Sequence, residues 1–117
     1  RSRGLGDVYK RQGHIGFNEP GSKIESKTRK VQISNESHKT ISKDFKETNK
    51  IPREALTLGI ETILSSCKVY LMAWGNNKSS IIKKAIKGKI TSSCPASYLK
   101  THDDVTYFLD EMSSSKL

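Results

Sequence analysis

Apolar residues change their spacing several times along this chain, and each change marks an element. Residues 28–34 alternate in the manner of a short strand, with Val31 and Ile33 on one face. Asn35 is placed to cap a helix running to Phe45, in which Ile41 and Phe45 share a face and Ser37 lies one turn before Ile41. Residues 55–58 form a second short strand, Gly59 punctuates, and residues 60–66 suit a short helix. The run KVYLMAW, residues 68–74, is nearly continuous in apolar character, as expected of a strand covered on both faces. Gly75-Asn76-Asn77 turns the chain into residues 78–87, where Ile81, Ile82, Ala85 and Ile86 recur at helical spacing. Gly88 ends that helix as a C′ residue. Residues 95–100 read as another short helix, 105–109 as a strand and 111–115 as the start of a last helix. Strands alternating with helices predict an α/β fold with a parallel sheet.

The 117 residues fit one small domain with a modest core, since only 33% are hydrophobic. The formal charge of +9 invites a nucleic-acid reading, because Lys and Arg attract phosphates and release counterions. Arg1, Arg3, Lys10 and Arg11 against Asp7 contribute +3 of it, and the remaining +6 is spread along the chain rather than gathered into a stripe. Four Tyr, three Phe and one Trp do not interleave with the basic residues as a stacking platform would. A basic surface without nucleic acid is the expectation. Ser2–Gln12 (SRGLGDVYKRQ) resembles translated sequencing adapter, so residues 1–12 are set aside as an artefactual or disordered arm and 13–117 are read as the domain. The other reading of this segment is a genuine basic arm.

Cys67 and Cys94 lie 27 residues apart without Cys/His ligand spacing, which predicts two reduced, mostly packed thiols and no metal site. No run approaches the roughly 18 apolar residues of a membrane span, and no signal-peptide apolar region follows the start. No membrane partner is expected, and the cytoplasm is the default compartment.

Candidate chemistry begins in Gly13–Ser22, GHIGFNEPGS. The imidazole of His14 and the carboxylate of Glu19 fall five residues apart in a turn-rich loop, the usual equipment for moving protons near neutral pH. By spacing alone, a solvated loop pair is the commoner outcome. A second candidate is Trp74-Gly75-Asn76-Asn77-Lys78, where a strand gives way to a helix start whose free N–H groups and Lys78 suit a phosphate. The same pattern also serves as ordinary punctuation.

The whole string GHIGFNEPGS resembles the active-site loop of glucosamine-6-phosphate deaminases. Further matching pieces follow in order: Ser26-Lys27-Thr28-Arg29, residues 52–59, 69–78 and 95–99, and Leu109-Asp110-Glu111. The wording MAWGNNKSSIIKKAIKGKIT most resembles a bacterial branch that can be fused to a deacetylase-like domain. The resemblance implies the C-terminal half of a Rossmann-like sugar-phosphate isomerase domain that needs no cofactor. It implies conversion of glucosamine 6-phosphate and water to fructose 6-phosphate and ammonia, and a homo-oligomer for the intact protein. His14 matches the residue that opens the sugar ring, Glu19 the carboxylate that orients it, and Lys78 a phosphate ligand. Lys43 falls near a phosphate-binding arginine, although an ammonium replaces the planar fork. Ser22 and Arg29 match part of an allosteric site for an acetylated sugar phosphate, but Val31 and Gln32 stand where polar or basic ligands are expected. Glu61 departs from a Gly-x-Gly-Thr pattern.

The family's proton-shuttling Asp and glycine-rich phosphate loop belong to an N-terminal half, so this polypeptide alone is expected not to turn over substrate. It is also expected to expose a sheet edge and an apolar face, with poor solubility. The alternatives are a catalytically silent sugar-phosphate-binding relative and a small basic nucleic-acid-binding protein.

Overall fold

A computed structural model describes residues 13–42 and 51–117. The arm 1–12, the far end of the helix expected to reach Phe45, and the candidate Lys43 lie outside the described residues. Strand β1 (Arg29–Gln32) leads to helix α1 (Asn35–Ile41), then β2 (Glu54–Thr57), α2 (Ile60–Leu64) and β3 (Val69–Ala73). A 3-10 turn (Asn76–Lys78) runs into α3 (Ser79–Lys87), and a 3-10 helix (Pro95–Thr101), β4 (Val105–Leu109) and α4 (Glu111–Ser114) complete the order.

The expected parallel pairing holds for β3 and β4, in register from Val69 opposite Val105 to Ala73 opposite Leu109. It fails for β1 and β2, which pair antiparallel. The register gives the reason: the chain leaves β1 at Gln32 and re-enters β2 at Glu54, directly opposite. The segment containing α1 is therefore an excursion from one end of the pair, not a crossover. Lys30 and Gln32 both reach Glu54 across the pair, at 3.2 and 2.8 Å.

Local chemistry shifts other boundaries. Asn35 is the first residue of α1 rather than its cap, because Ser34 Oγ accepts the Ser37 N–H at 3.2 Å. Residues 95–101 wind as a 3-10 helix, with His102 N–H closing on Leu99 O at 3.1 Å. Gly88 ends α3 as expected but in an extended conformation (φ −73°, ψ 177°), not the left-handed one.

The core lies between the β3–β4 pair, α3 and the 3-10 helix. Leu71 and Ala73 of β3 meet Ile81, Ile82 and Ala85 of α3, with Cys94, Ala96 and Leu99 below them. Ile82 is fully buried, a contribution of roughly 1.5–3 kcal/mol by side-chain transfer. Among the described residues, the β3–β4 sheet is covered on this face only. Tyr70, Met72, Trp74 and Phe108 point to the other side and stay 50–63% exposed, so the expectation that residues 68–74 are covered on both faces is not met. Strand alternation puts Tyr70 and Met72 opposite Leu71 and Ala73. Tyr70 and Phe108 close on each other there, ring centroids 5.7 Å apart.

The two thiols differ sharply. Cys94 is packed as expected and its thiol pKa is raised by that burial, whereas Cys67, just before β3, is exposed and departs from the expectation. Thiolate availability governs reaction, so titration with an aromatic disulfide should count one fast thiol in the native chain and two in denaturant. Two fast thiols without denaturant would contradict this packing.

Candidate active site

The loop from Gly13 to Ser22 is pinned along its length. Gly13 lies at φ +73°, and a Cβ there would sit 2.7 Å from Cys94 Sγ and 2.8 Å from Ile81 Cδ1. Only a residue without a side chain fits both the backbone and the space. Its carbonyl accepts the Ala96 N–H at 2.9 Å, tying the loop to the helix 95–101. At the tip, Phe17 N–H donates to Thr57 Oγ1 (3.0 Å) at the end of β2. Asn18 is wholly buried and spends both ends of its amide. Its Nδ2 donates to Ile15 O (2.8 Å) and Leu58 O (2.7 Å), and its Oδ1 accepts Arg29 Nη1 at 2.8 Å. A buried amide so satisfied fixes the loop against β1 and β2.

His14 is held in this frame, 3% exposed, with Nδ1 2.7 Å from Gly16 O. A carbonyl only accepts, so Nδ1 carries the hydrogen and Nε2 is the basic nitrogen of the neutral ring. Glu19 is gripped from α1. Its Oε1 accepts Ser37 Oγ at 2.6 Å and Ser34 Oγ at 3.0 Å, and its Oε2 is buried. Ser37, placed by the pattern on the Ile41 face, is thus a carboxylate donor; nothing in its spacing to Glu19 could have revealed this. Ser22 closes the loop by donating Oγ to Glu19 O at 2.8 Å, and Arg29 gives Nη1 also to Lys27 O at 3.3 Å.

Lys78 ends the 3-10 turn at the C-terminal end of β3 and is buried, 8% exposed. Its N–H closes on Gly75 O at 3.0 Å. It stands one turn before Ile81, the residue that packs under Gly13. The two sequence candidates, the His14 loop and the Lys78 turn, therefore rest on the same end of α3. Asp110, between β4 and α4, was singled out in sequence only as part of a matching piece. In the structure it caps α4 by accepting Ser113 N–H at 2.8 Å and also accepts Gly75 N–H. The Ser113 hydroxyl and N–H, with Gly75 N–H, hold its carboxyl below the usual carboxylate range. A depressed folded-state pKa stabilises the fold above the ordinary Asp value, and that contribution is lost as pH falls toward the depressed one. Acid unfolding should accordingly separate the wild type from Asp110→Asn at neutral pH and bring them together at low pH; parallel curves would contradict it.

Among the described residues, no group of three His, Cys, Asp or Glu side chains is placed to hold a metal ion, and no helix is long and apolar enough to cross a membrane.

Comparison with known proteins gives a consistent family. The chain is 44% identical over 107 residues to a glucosamine-6-phosphate deaminase of Lacticaseibacillus paracasei, covering 92% of this chain and 45% of the relative. It is 41% identical over 105 residues to the glucosamine-6-phosphate deaminase of Listeria innocua, covering 90% of this chain and 45% of that relative. A solved structure described as a monomeric glucosamine-6-phosphate deaminase of the NagB superfamily superposes with a TM-score of 0.85 at 38% identity. That match covers 92% of this chain and 44% of the solved one. The chain thus spans less than half the length of the curated relatives it matches. No family model matches it.

Proposed function

We propose that this chain, which by sequence and fold is part of a glucosamine-6-phosphate deaminase domain, supplies the ring-opening and phosphate-holding residues for deamination of glucosamine 6-phosphate. Water enters, and fructose 6-phosphate and ammonia leave. The reaction opens the pyranose, moves a proton between C2 and C1 through an enediol-like intermediate, and expels the amine. The observation that carries this reading is the buried His14 with its Nδ1 fixed on Gly16 O. That arrangement leaves Nε2 as the nitrogen that takes a proton and passes it to the ring oxygen. Glu19, held by the Ser34 and Ser37 hydroxyls, is the carboxylate that the resemblance pairs with His14, while Gly16 O fixes the ring. Lys78 binds the phosphate with a point charge at the start of α3, and Lys43 contributes to the same anion. The carboxylate that shuttles the C2 proton comes from the portion of the domain that the relatives have beyond the matched stretch.

Ser22 and Arg29 are candidates for an effector site, although both already serve the loop. We place the protein in the cytoplasm. For the intact protein the expectation of a homo-oligomer stands beside a solved relative described as monomeric, and light scattering distinguishes the two. Neither the silent binding relative nor the nucleic-acid reading gains support from the comparisons.

Calorimetric titration of the chain with glucosamine 6-phosphate tests the phosphate assignment. Lys78→Ala should weaken binding at least about tenfold, the equivalent of about 1.4 kcal/mol, and glucosamine without phosphate should bind no better than that variant. Equal affinity for wild type and Lys78→Ala would contradict the assignment.

A further inference from the structure

Asp110 is the residue for which neither the ring-opening loop nor the phosphate lysine has yet accounted. It follows β4, while Gly75 follows the neighbouring β3, so the two stand side by side at the C-terminal end of the parallel pair. Both carboxylate oxygens lie 3.1 Å from the Gly75 nitrogen. Gly75 has φ +91° and ψ 147°, a conformation that glycine adopts freely and other residues rarely do, so a hydrogen bond from outside selects it among the others open to glycine. From there the hydrogen bonds lead to Lys78. The Gly75 carbonyl accepts the Lys78 N–H at 3.0 Å, and the Asn76 carbonyl accepts Ser79 Oγ at 2.8 Å. A second tie runs parallel to the first: buried Ser113, whose N–H Asp110 caps, donates its hydroxyl to Ala73 O at 2.8 Å. The last residue of β3 and the first of the following turn are thus both fastened to the start of α4.

We propose that Asp110 is a positioning residue for the phosphate site, locking Gly75 so that the turn 75–78 presents Lys78 and the start of α3 to the anion. This rests on the assignment of Lys78 as the phosphate ligand. The carboxylate never touches substrate. Electrostatics makes the proposal sharp, because its sign opposes the simplest alternative. A carboxylate near an anion site repels the anion, so removing its charge with nothing else changed would tighten binding. A positioning role demands the reverse.

The test compares Asp110→Asn with Asp104→Asn in the full chain, using glucosamine 6-phosphate as the probe. Both changes remove one negative charge, but Asp104 pairs with Lys68 (3.6 Å) at the opposite end of the strands. Asn caps helices about as well as Asp, so Asp110→Asn keeps an acceptor for Ser113 N–H while losing the charged two-oxygen hold on Gly75. Expected are an upfield move of the Gly75 amide proton and at least about tenfold weaker binding, about 1.4 kcal/mol, in Asp110→Asn only. Unchanged or tighter binding by Asp110→Asn, with Lys78→Ala still weakened, overturns the positioning role and leaves the phosphate assignment standing. Loss of Lys78 dependence, or no binding by the wild type, overturns both. Should Asp110→Asn melt at the working temperature, Ser113→Ala serves in its place. That change removes the Ser113 hydroxyl and with it the Ala73 tie, while the carboxylate keeps the Ser113 and Gly75 N–H groups. Binding should therefore weaken by less than about tenfold, with the Gly75 amide shift in place. A displaced Gly75 amide in Ser113→Ala would overturn the assignment of that lock to Asp110.

Discussion

His14→Gln is expected to lower turnover about 10²- to 10⁴-fold, the usual worth of a positioned general acid–base. The setting is a hybrid in which residues 13–117 replace the matching stretch of the Lacticaseibacillus paracasei deaminase. Glutamine preserves much of the volume and one donor toward Gly16 O, so the buried loop should keep its shape. What disappears is the ring nitrogen that accepts and returns a proton, while the Nδ1 contact that orients the ring can be approximated. The expected result is a loss in kcat with KM little changed, since phosphate binding is assigned to Lys78. A fall in affinity with turnover preserved would place His14 among the binding residues instead.

Gly59→Ala should be the most damaging small change to the fold. Gly59 has ordinary backbone angles (φ −71°, ψ 162°), so conformational freedom is not its purpose. Its role is close approach. An added Cβ would lie 2.0 Å from Ser26 O and 2.3 Å from the Lys27 carbonyl carbon, both backbone atoms that cannot rotate away. Relief requires moving residues 26–27 off α2, which breaks the Glu61 N–H bond to Ser26 O (3.0 Å) at the start of that helix. It also disturbs Leu58 O, on which buried Asn18 depends. Overpacking costs about 1–3 kcal/mol, and leaving one buried polar group unsatisfied adds about 1–3 kcal/mol. Denaturant unfolding should show a loss of that combined order. An unchanged midpoint would mean that residues 26–27 do not pack on Gly59.

The features that periodicity records were legible in the sequence. The α3 face of Ile81, Ile82 and Ala85 and the β3 and β4 strands follow from local spacing, and their parallel pairing from the helices between them. The antiparallel pairing of β1 and β2 did not follow, because helix–strand alternation does not say at which end the chain returns. The bare face of Tyr70, Met72, Trp74 and Phe108 was read two ways: as a strand covered on both sides from its run of apolar residues, and as an uncovered face from the partial resemblance. Composition alone cannot tell an apolar face that is covered from one that is not.

In the candidate site, His14, Glu19 and Lys78 were singled out through motif wording. The residues that hold them were not. Asn18, Thr57, Ser34, Ser37 and Asp110 act through contacts 15 to 40 residues away in sequence, and polar residues at such separations leave no periodic trace. Asn18 had the best chance of detection, standing between Phe17 and Glu19 in the loop that carried the resemblance.

The central claim is that residues 13–117 carry a working portion of a deaminase site. It is tested most directly by assaying the unmutated hybrid for fructose 6-phosphate and ammonia released from glucosamine 6-phosphate. The account predicts both products in equal amounts, with turnover that depends on His14. A hybrid that folds and binds the sugar phosphate yet releases neither product would contradict it.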